Sequence, residues 1–190
     1  MGFGRWVGFG WQRPQRFVVG LAPNEASFAS WLLPGKEWQM NLSEYLSRHQ
    51  VILLTGSSKK EALEQLMDLM AGEIENVSRK ELARAVWKRE EIMSTGIGSG
   101  LGVPHVRMEG LHRAHIAIGV SHQGLGDYES LDQEPVHVVV LIAAPAGEHE
   151  TYIRLLATTA DVLKNDTLRD RILTTTDEDE IYRIFTEGSP

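Results

Sequence analysis

Four features of this chain could do chemistry: an arginine, Arg89; alternating glycines at Gly96, Gly98, Gly100 and Gly102; a histidine directly after a proline, Pro104-His105; and a second histidine, His149. Glycine permits backbone conformations and close approaches that a Cβ would block. Pro104 fixes its own φ and biases Val103 toward an extended conformation, so His105 is presented from a stiff backbone. Near neutral pH an imidazole is largely uncharged and keeps a lone pair on one ring nitrogen. That nitrogen can attack a phosphorus in line, while a hydrogen bond at the other sets tautomer and ring direction. A transferred phosphoryl group carries its charge on three oxygens, and positioning plus electrostatics supplies most of the catalysis. Arg89, His149 and the N–H groups of the glycine-rich segment are suitable donors to those oxygens.

Other chemistries fit less well. The glycine run is not a P-loop, because no Gly-Lys-Ser/Thr follows. Nor is it a dinucleotide fingerprint: the third glycine of G-x-G-x-x-G is missing, and Pro-His follows instead of a helix. The histidines at 105, 112, 115 and 122 lack a recognised ligand spacing, so no metal is expected. His115, His122 and His137 read as structural or exposed. No G-x-S-x-G elbow supports a serine hydrolase. The chain has no cysteine, which removes disulfides, zinc thiolates and thiol nucleophiles.

The elements that must position these residues can be read from periodicity. Asn41 to Leu46 reads as a short amphipathic turn or helix, followed by an apolar strand over Val51 to Leu54. Ser57 or Ser58 caps a helix whose apolar face carries Ala62, Leu63, Leu66, Met67, Leu69 and Met70, ending near Gly72. Ser78-Arg79-Lys80-Glu81 is a capping box opening a helix that stops before the glycine run. Arg89 lies in its last turns, from which it can project toward His105; its simpler reading is a solvated surface charge. Ala114 to Val120 alternates as a strand with Ile116, Ile118 and Val120 on one face, and Gly124 to Asp127 supplies a turn. Val136 to Ala143 reads as a central strand covered on both faces. Gly147-Glu148-His149-Glu150 opens an amphipathic helix, and two short helices follow, capped by Asn165 or Asp166 and by Thr176 or Asp177. Strands mixed with helices imply a layered α/β domain.

The formal net charge of −7 and the absence of a Lys/Arg block give no nucleic-acid footprint. No apolar run reaches the ~20 residues that span a bilayer, so no membrane insertion is expected, and the lack of disulfides fits a cytoplasmic protein. Residues 1–39 differ from the rest: they hold Trp6, Trp11, Trp31 and Trp38 and no sustained pattern. They read as a weakly structured N-terminal extension that packs its tryptophans on a partner, or as a start assigned too far upstream. In the second case Lys36-Glu37, codable as AAGGAG, is the ribosome-binding sequence for Met40.

Arg89-Glu90-Glu91, Ser94-Thr95-Gly96-Ile97-Gly98 through Val103-Pro104-His105, and Glu148-His149 opening a helix closely resemble the fructose/mannitol class of enzyme IIA. These are domains of the bacterial sugar phosphotransferase system, and the class includes nitrogen-type paralogues. The resemblance runs from about Met40 to the C-terminus. It implies an α/β fold with a mixed central sheet flanked by helices on both faces, over residues 40–190. It also implies that His105 accepts a phosphoryl group from the histidine of HPr and passes it to an enzyme IIB, with Arg89 and His149 placing and neutralising the group. No cofactor or metal is required. The IIB acceptor in this class is usually a cysteine, so here it is expected on another molecule. The alternative is a nitrogen-type regulator that acts by phosphorylation-dependent contact with target proteins. Two departures, Gly102 for the usual alanine and Val106 for a small or polar residue after the histidine, are expected to bear on rim contacts and partner choice.

Overall fold

The structure, a computed structural model, describes residues 39–187. The expected extension over residues 1–39 therefore lies, apart from Gln39, outside the described residues. The described part is a six-stranded mixed sheet with helices on both faces, as the resemblance implied.

Two single 3₁₀ turns, Leu42–Glu44 and Arg48–Gln50, lead into β1 (Val51–Leu53). Helices α1 (Lys59–Ala71) and α2 (Arg79–Ile92) follow; α2 starts on the expected capping box, Ser78 with Glu81, and at α1 the cap is Ser58, which forms a second capping box with Glu61. The glycine run then forms β2 (Gly96–Gly98), β3 (Leu101–Gly102) and, after Pro104, β4 (His105–Met108). The long strands β5 (His115–Leu125) and β6 (Val136–Pro145) come next. Helices α3 (His149–Lys164), α4 (Asp166–Thr174) and α5 (Glu178–Glu187) finish the fold. Asn165 caps α4 by accepting from Leu168 N, and the Asp177 carboxylate accepts from Asp179 N at the start of α5.

The strand order is β1-β5-β6-β3-β2, with β4 also on β6. β1 runs parallel to β5, β5 antiparallel to β6, and both β3 and β4 parallel to β6. Alternation along β6 divides the core, since successive strand residues face opposite sides. Val138, Val140, Ile142 and Ala144 pack with α3, α4 and α5. Val139, Leu141 and Ala143 pack with α1 and α2. Ile116, Ile118 and Val120 share one face of β5, as alternation predicts. That strand continues past Val120 to Leu125, through the start of the expected turn.

The chemistry-bearing segment runs along one side of β6 as a single strand with a break in it. Leu101 pairs with Val138 and His105 with Ile142, the same offset along β6 on both sides of Val103-Pro104. At the break, Val103 N turns away to the Thr95 carbonyl at 2.9 Å, and Pro104 has no N–H to offer. The Pro104 carbonyl still accepts from Ile142 N at 2.9 Å, so the strand resumes in register at His105. The β2–β3 turn needs its glycines: Gly98, Ser99 and Gly100 have φ of 93°, 56° and 74°. The Asp132 carboxylate, accepting from Ser99 N at 2.6 Å, holds the non-glycine member there.

Candidate functional site

His105 is the first residue of β4, half-buried, with its ring fixed at both nitrogens. Nδ1 lies 2.6 Å from the Val103 carbonyl, which can only accept, so Nδ1 carries the proton. The neutral ring then has its lone pair on Nε2. Arg89 Nη2 lies 3.2 Å from that atom and donates to it. Burial holds the His105 pKa below the ordinary histidine value; Arg89 adds to this, while the Val103 bond and Glu90 oppose it. The ring is therefore neutral at neutral pH, with its nucleophilic electron pair beside a guanidinium.

Arg89 is aimed by its own helix end. It sits in the last turn of α2, where a cation suits the macrodipole, and its Nη1 donates to the Met93 carbonyl at 2.8 Å. Glu90, the next residue, is rotated about 100° around the helix and points inward. Its side chain is 4% exposed and forms an ion pair with Lys59 Nζ at 2.6 Å. Thr95 donates to Glu90 Oε1 at 2.6 Å and shares a 2.7 Å hydrogen bond with Tyr128. Lys59 also lies over the Tyr128 ring, 4.5 Å from its centroid. This network ties the start of α1, the end of α2 and the glycine run together directly behind Arg89.

On the other side, β4 and β6 end together, with Met108 opposite Pro145, and α3 starts a few residues later. That brings the first turn of α3 against the outer end of β4. His149 opens α3, as expected, and its Nδ1 accepts from Arg107 Nη1 at 2.9 Å. The residue of α3 that meets the His105 ring is Tyr152, edge-on with centroids 5.7 Å apart and planes at 60°. Arg89 and His105 are thus in direct contact, whereas His149 joins them through Arg107 and Tyr152. Arg107 and Tyr152 went unread in the sequence. The signal was available: Arg107 is two residues after His105, hence on the same strand face, and Tyr152 is three after His149, hence on the same helix face.

The two departures from the family pattern do not reach the rim. Val106 is 5% exposed and packs under α1 and α2. Gly102 is also buried, and a Cβ there would come within 3.0 Å of the Tyr128 ring. Both are therefore adjustments of packing. Of the histidines read as structural or exposed, His122 is exposed and its Nε2 donates to the Thr175 carbonyl, while His137 Nδ1 donates to the Ser121 carbonyl, each at 2.9 Å. His115 is 6% exposed. Among the described residues, no group of three or more His, Cys, Asp or Glu is arranged to hold a metal ion. Nor is any helix among them long and apolar enough to cross a membrane. Four apolar side chains, Ile92, Met93, Ile97 and Leu131, are exposed at the end of α2 and along β2 and the loop paired with it.

The sequence and the fold both match known proteins. The profile described as "Phosphoenolpyruvate-dependent sugar phosphotransferase system, EIIA 2" matches residues 44–188. The PTS system fructose-specific EIIABC component of Bacillus subtilis (strain 168) is 32% identical over 151 residues, covering 78% of this chain but 23% of that protein. The nitrogen regulatory protein of Pseudomonas aeruginosa is 28% identical over 137 residues, covering 72% of this chain and 88% of that protein. Among solved structures, nitrogen regulatory protein IIA-Ntr of Neisseria meningitidis superposes with a TM-score of 0.70 at 25% identity, over 76% of this chain and 99% of that one. The chain belongs to the EIIA 2 family of the phosphoenolpyruvate-dependent sugar phosphotransferase system.

Proposed function

We propose that this protein is a cytoplasmic phosphohistidine carrier, taking a phosphoryl group from phosphorylated HPr or an HPr-like donor onto Nε2 of His105. The observation that carries this reading is the state of the His105 ring: Nδ1–H held by the Val103 carbonyl and the Nε2 lone pair facing Arg89. In the transfer, the Nε2 lone pair forms the new P–N bond. The electrons of the donor's P–N bond return to the donor nitrogen. If the donor ring keeps its distal N–H, as His105 keeps its own on Val103, no proton has to move. Arg89 exchanges the ring nitrogen for a phosphoryl oxygen and stabilises the charge on the transferring group. His149, at the start of α3, is the candidate second donor, one shell further out.

A carrier must also release what it accepts, and tight binding of the phosphorylated ground state lowers no barrier. A sparse, half-exposed site completed by the partner's residues suits this demand. The exposed Ile92, Met93, Ile97 and Leu131 offer apolar surface for such a partner beside Arg89. For onward transfer, the partner is an enzyme IIB, and these 190 residues hold no cysteine that could act as the acceptor. The second reading is regulatory, with the phosphorylation state controlling a target protein by contact. It is favoured by similarity over 88% of the length of a nitrogen regulatory protein.

Incubation with enzyme I, HPr and phosphoenolpyruvate tests the reading. It should add one acid-labile phosphate, and His105→Ala should abolish it. Labelling of that variant at the wild-type level would overturn the assignment. Mixing the phosphorylated protein with a fructose-type IIB domain separates the two roles, since rapid transfer supports sugar uptake and its absence supports regulation.

A further inference from the structure

Arg107 lies on the face of β4 that carries His105, roughly 7 Å further along the strand, a span its own side chain can bridge. Its guanidinium covers the Tyr152 ring, with Cζ 5.6 Å from the centroid, while the edge of the same ring meets His105. Burial raises the pKa of the Tyr152 phenol, and Arg89 and Arg107 both oppose that rise, so its hydroxyl lies in the field of both cations. His105 is therefore flanked by a guanidinium in contact with Nε2 and by a second one a single aromatic ring away.

A phosphoryl group on Nε2 presents three charged oxygens, and Arg89 cannot serve them all. Its Nη1 is already committed to the Met93 carbonyl. Arg107 is exposed and donates to a neutral imidazole nitrogen of His149. Exchanging that acceptor for a phosphoryl oxygen turns an ordinary hydrogen bond into a charge-assisted one, about twice as strong. To turn, it has to release the His149 nitrogen and the face of the Tyr152 ring.

We infer that Arg107 is a catalytic residue of the transfer. It rests on His149 and Tyr152 while His105 is unmodified and swings onto the phosphoryl oxygens as the P–N bond forms, with Tyr152 as its positioning residue. This rests on the proposed carrier function. Arg107 stays protonated throughout; the bond formed is Nε2–P and the bond broken is the donor's P–N.

The experiment compares wild type, Arg107→Gln and Arg107→Lys with two donors, phosphorylated HPr and the small molecule phosphoramidate. The glutamine variant should accept phosphate at least about tenfold more slowly from both donors, and lysine should recover part of the rate. Tyr152→Leu should share the loss, while Tyr152→Phe, which keeps the ring face, should recover it. Equal rates for wild type and Arg107→Gln, with wild type labelled on His105, would overturn this inference alone. So would a loss confined to phosphorylated HPr, which would make Arg107 a docking cation. Wild type that accepts from neither donor would reject the carrier reading itself, and this inference with it.

Discussion

His105 donates through Nδ1 to the carbonyl of Val103, 2.6 Å away and on the far side of Pro104. Proline makes this contact possible by holding the backbone between donor and acceptor, in the gap between β3 and β4. Pro104→Ala should therefore loosen the ring's direction more than it loosens the fold. The expected stability loss is about 0.4–1 kcal/mol, with phosphoryl acceptance slowed about tenfold by misaligned attack. Thermal unfolding and a labelling time course check this. A lowered Tm with an unchanged rate would show that Pro104 only stiffens the chain.

Acceptance needs a neutral imidazole, and burial first, then Arg89, holds His105 below the ordinary histidine value. The rate should stay level as pH falls to about 6.5, where a free histidine is half protonated, and decline only below that. An NMR titration of the His105 ring should show the same midpoint, and Arg89→Gln should move it upward. A midpoint at or above that of a free histidine would contradict the site's electrostatics. Stability follows the same sign. The unfolded chain takes up the proton first, so stability is full above the ordinary value and falls as pH drops toward the folded one. His115 adds to this acid sensitivity, lowered by burial and by Arg113 and opposed by Glu73.

Much of this arrangement is legible in the sequence, but not evenly. The capping boxes at Ser58 and Ser78 and the β-branched run of β6 are local signals, and the structure follows them closely. The contact between Arg89 and His105 could be anticipated because helix and proline both restrict where those side chains point. The strands β2, β3 and β4 could not. Alternating glycines carry no apolar pattern, and what makes them strands lies elsewhere: the Glu129 and Ser130 backbone against Gly96, the Tyr128 ring against Gly102, and β6 alongside. Tyr152 and Arg107 were hidden for a related reason. Each lies on the same face as a histidine already singled out, but only the shared ends of β4 and β6 bring those two faces together.

The pair Lys59–Glu90 should behave as a unit. Glu90→Gln strands the Lys59 ammonium, 17% exposed, against Tyr128 and removes the Thr95 acceptor's charge. A loss of about 3 kcal/mol is expected, the usual cost of breaking a buried pair from one side. The double variant Lys59→Met/Glu90→Gln should lose clearly less than the sum of the two single losses. Additive losses in chemical denaturation would mean the two charges do not stabilise each other.

Two glycines of the run differ in what they tolerate, because one faces backbone and the other a side chain. An alanine Cβ at Gly96 would collide with the Glu129 carbonyl oxygen and lie 2.9 Å from Ser130 Cα. Neither atom can yield without moving the loop that pairs with β2. At Gly102 the obstacle is the Tyr128 ring at 3.0 Å, which can tilt at the expense of its hydrogen bond to Thr95. Gly102→Ala should cost about 1 kcal/mol and Gly96→Ala about 3 kcal/mol or more, the two ends of the overpacking range. Removing the phenol should separate the cases further: in a Tyr128→Phe background, where the hydrogen bond is already gone, Gly102→Ala should lose part of its cost and Gly96→Ala should keep all of it. If Gly96→Ala unfolds no earlier than Gly102→Ala, the close approach of the 129–130 backbone is not what demands glycine there.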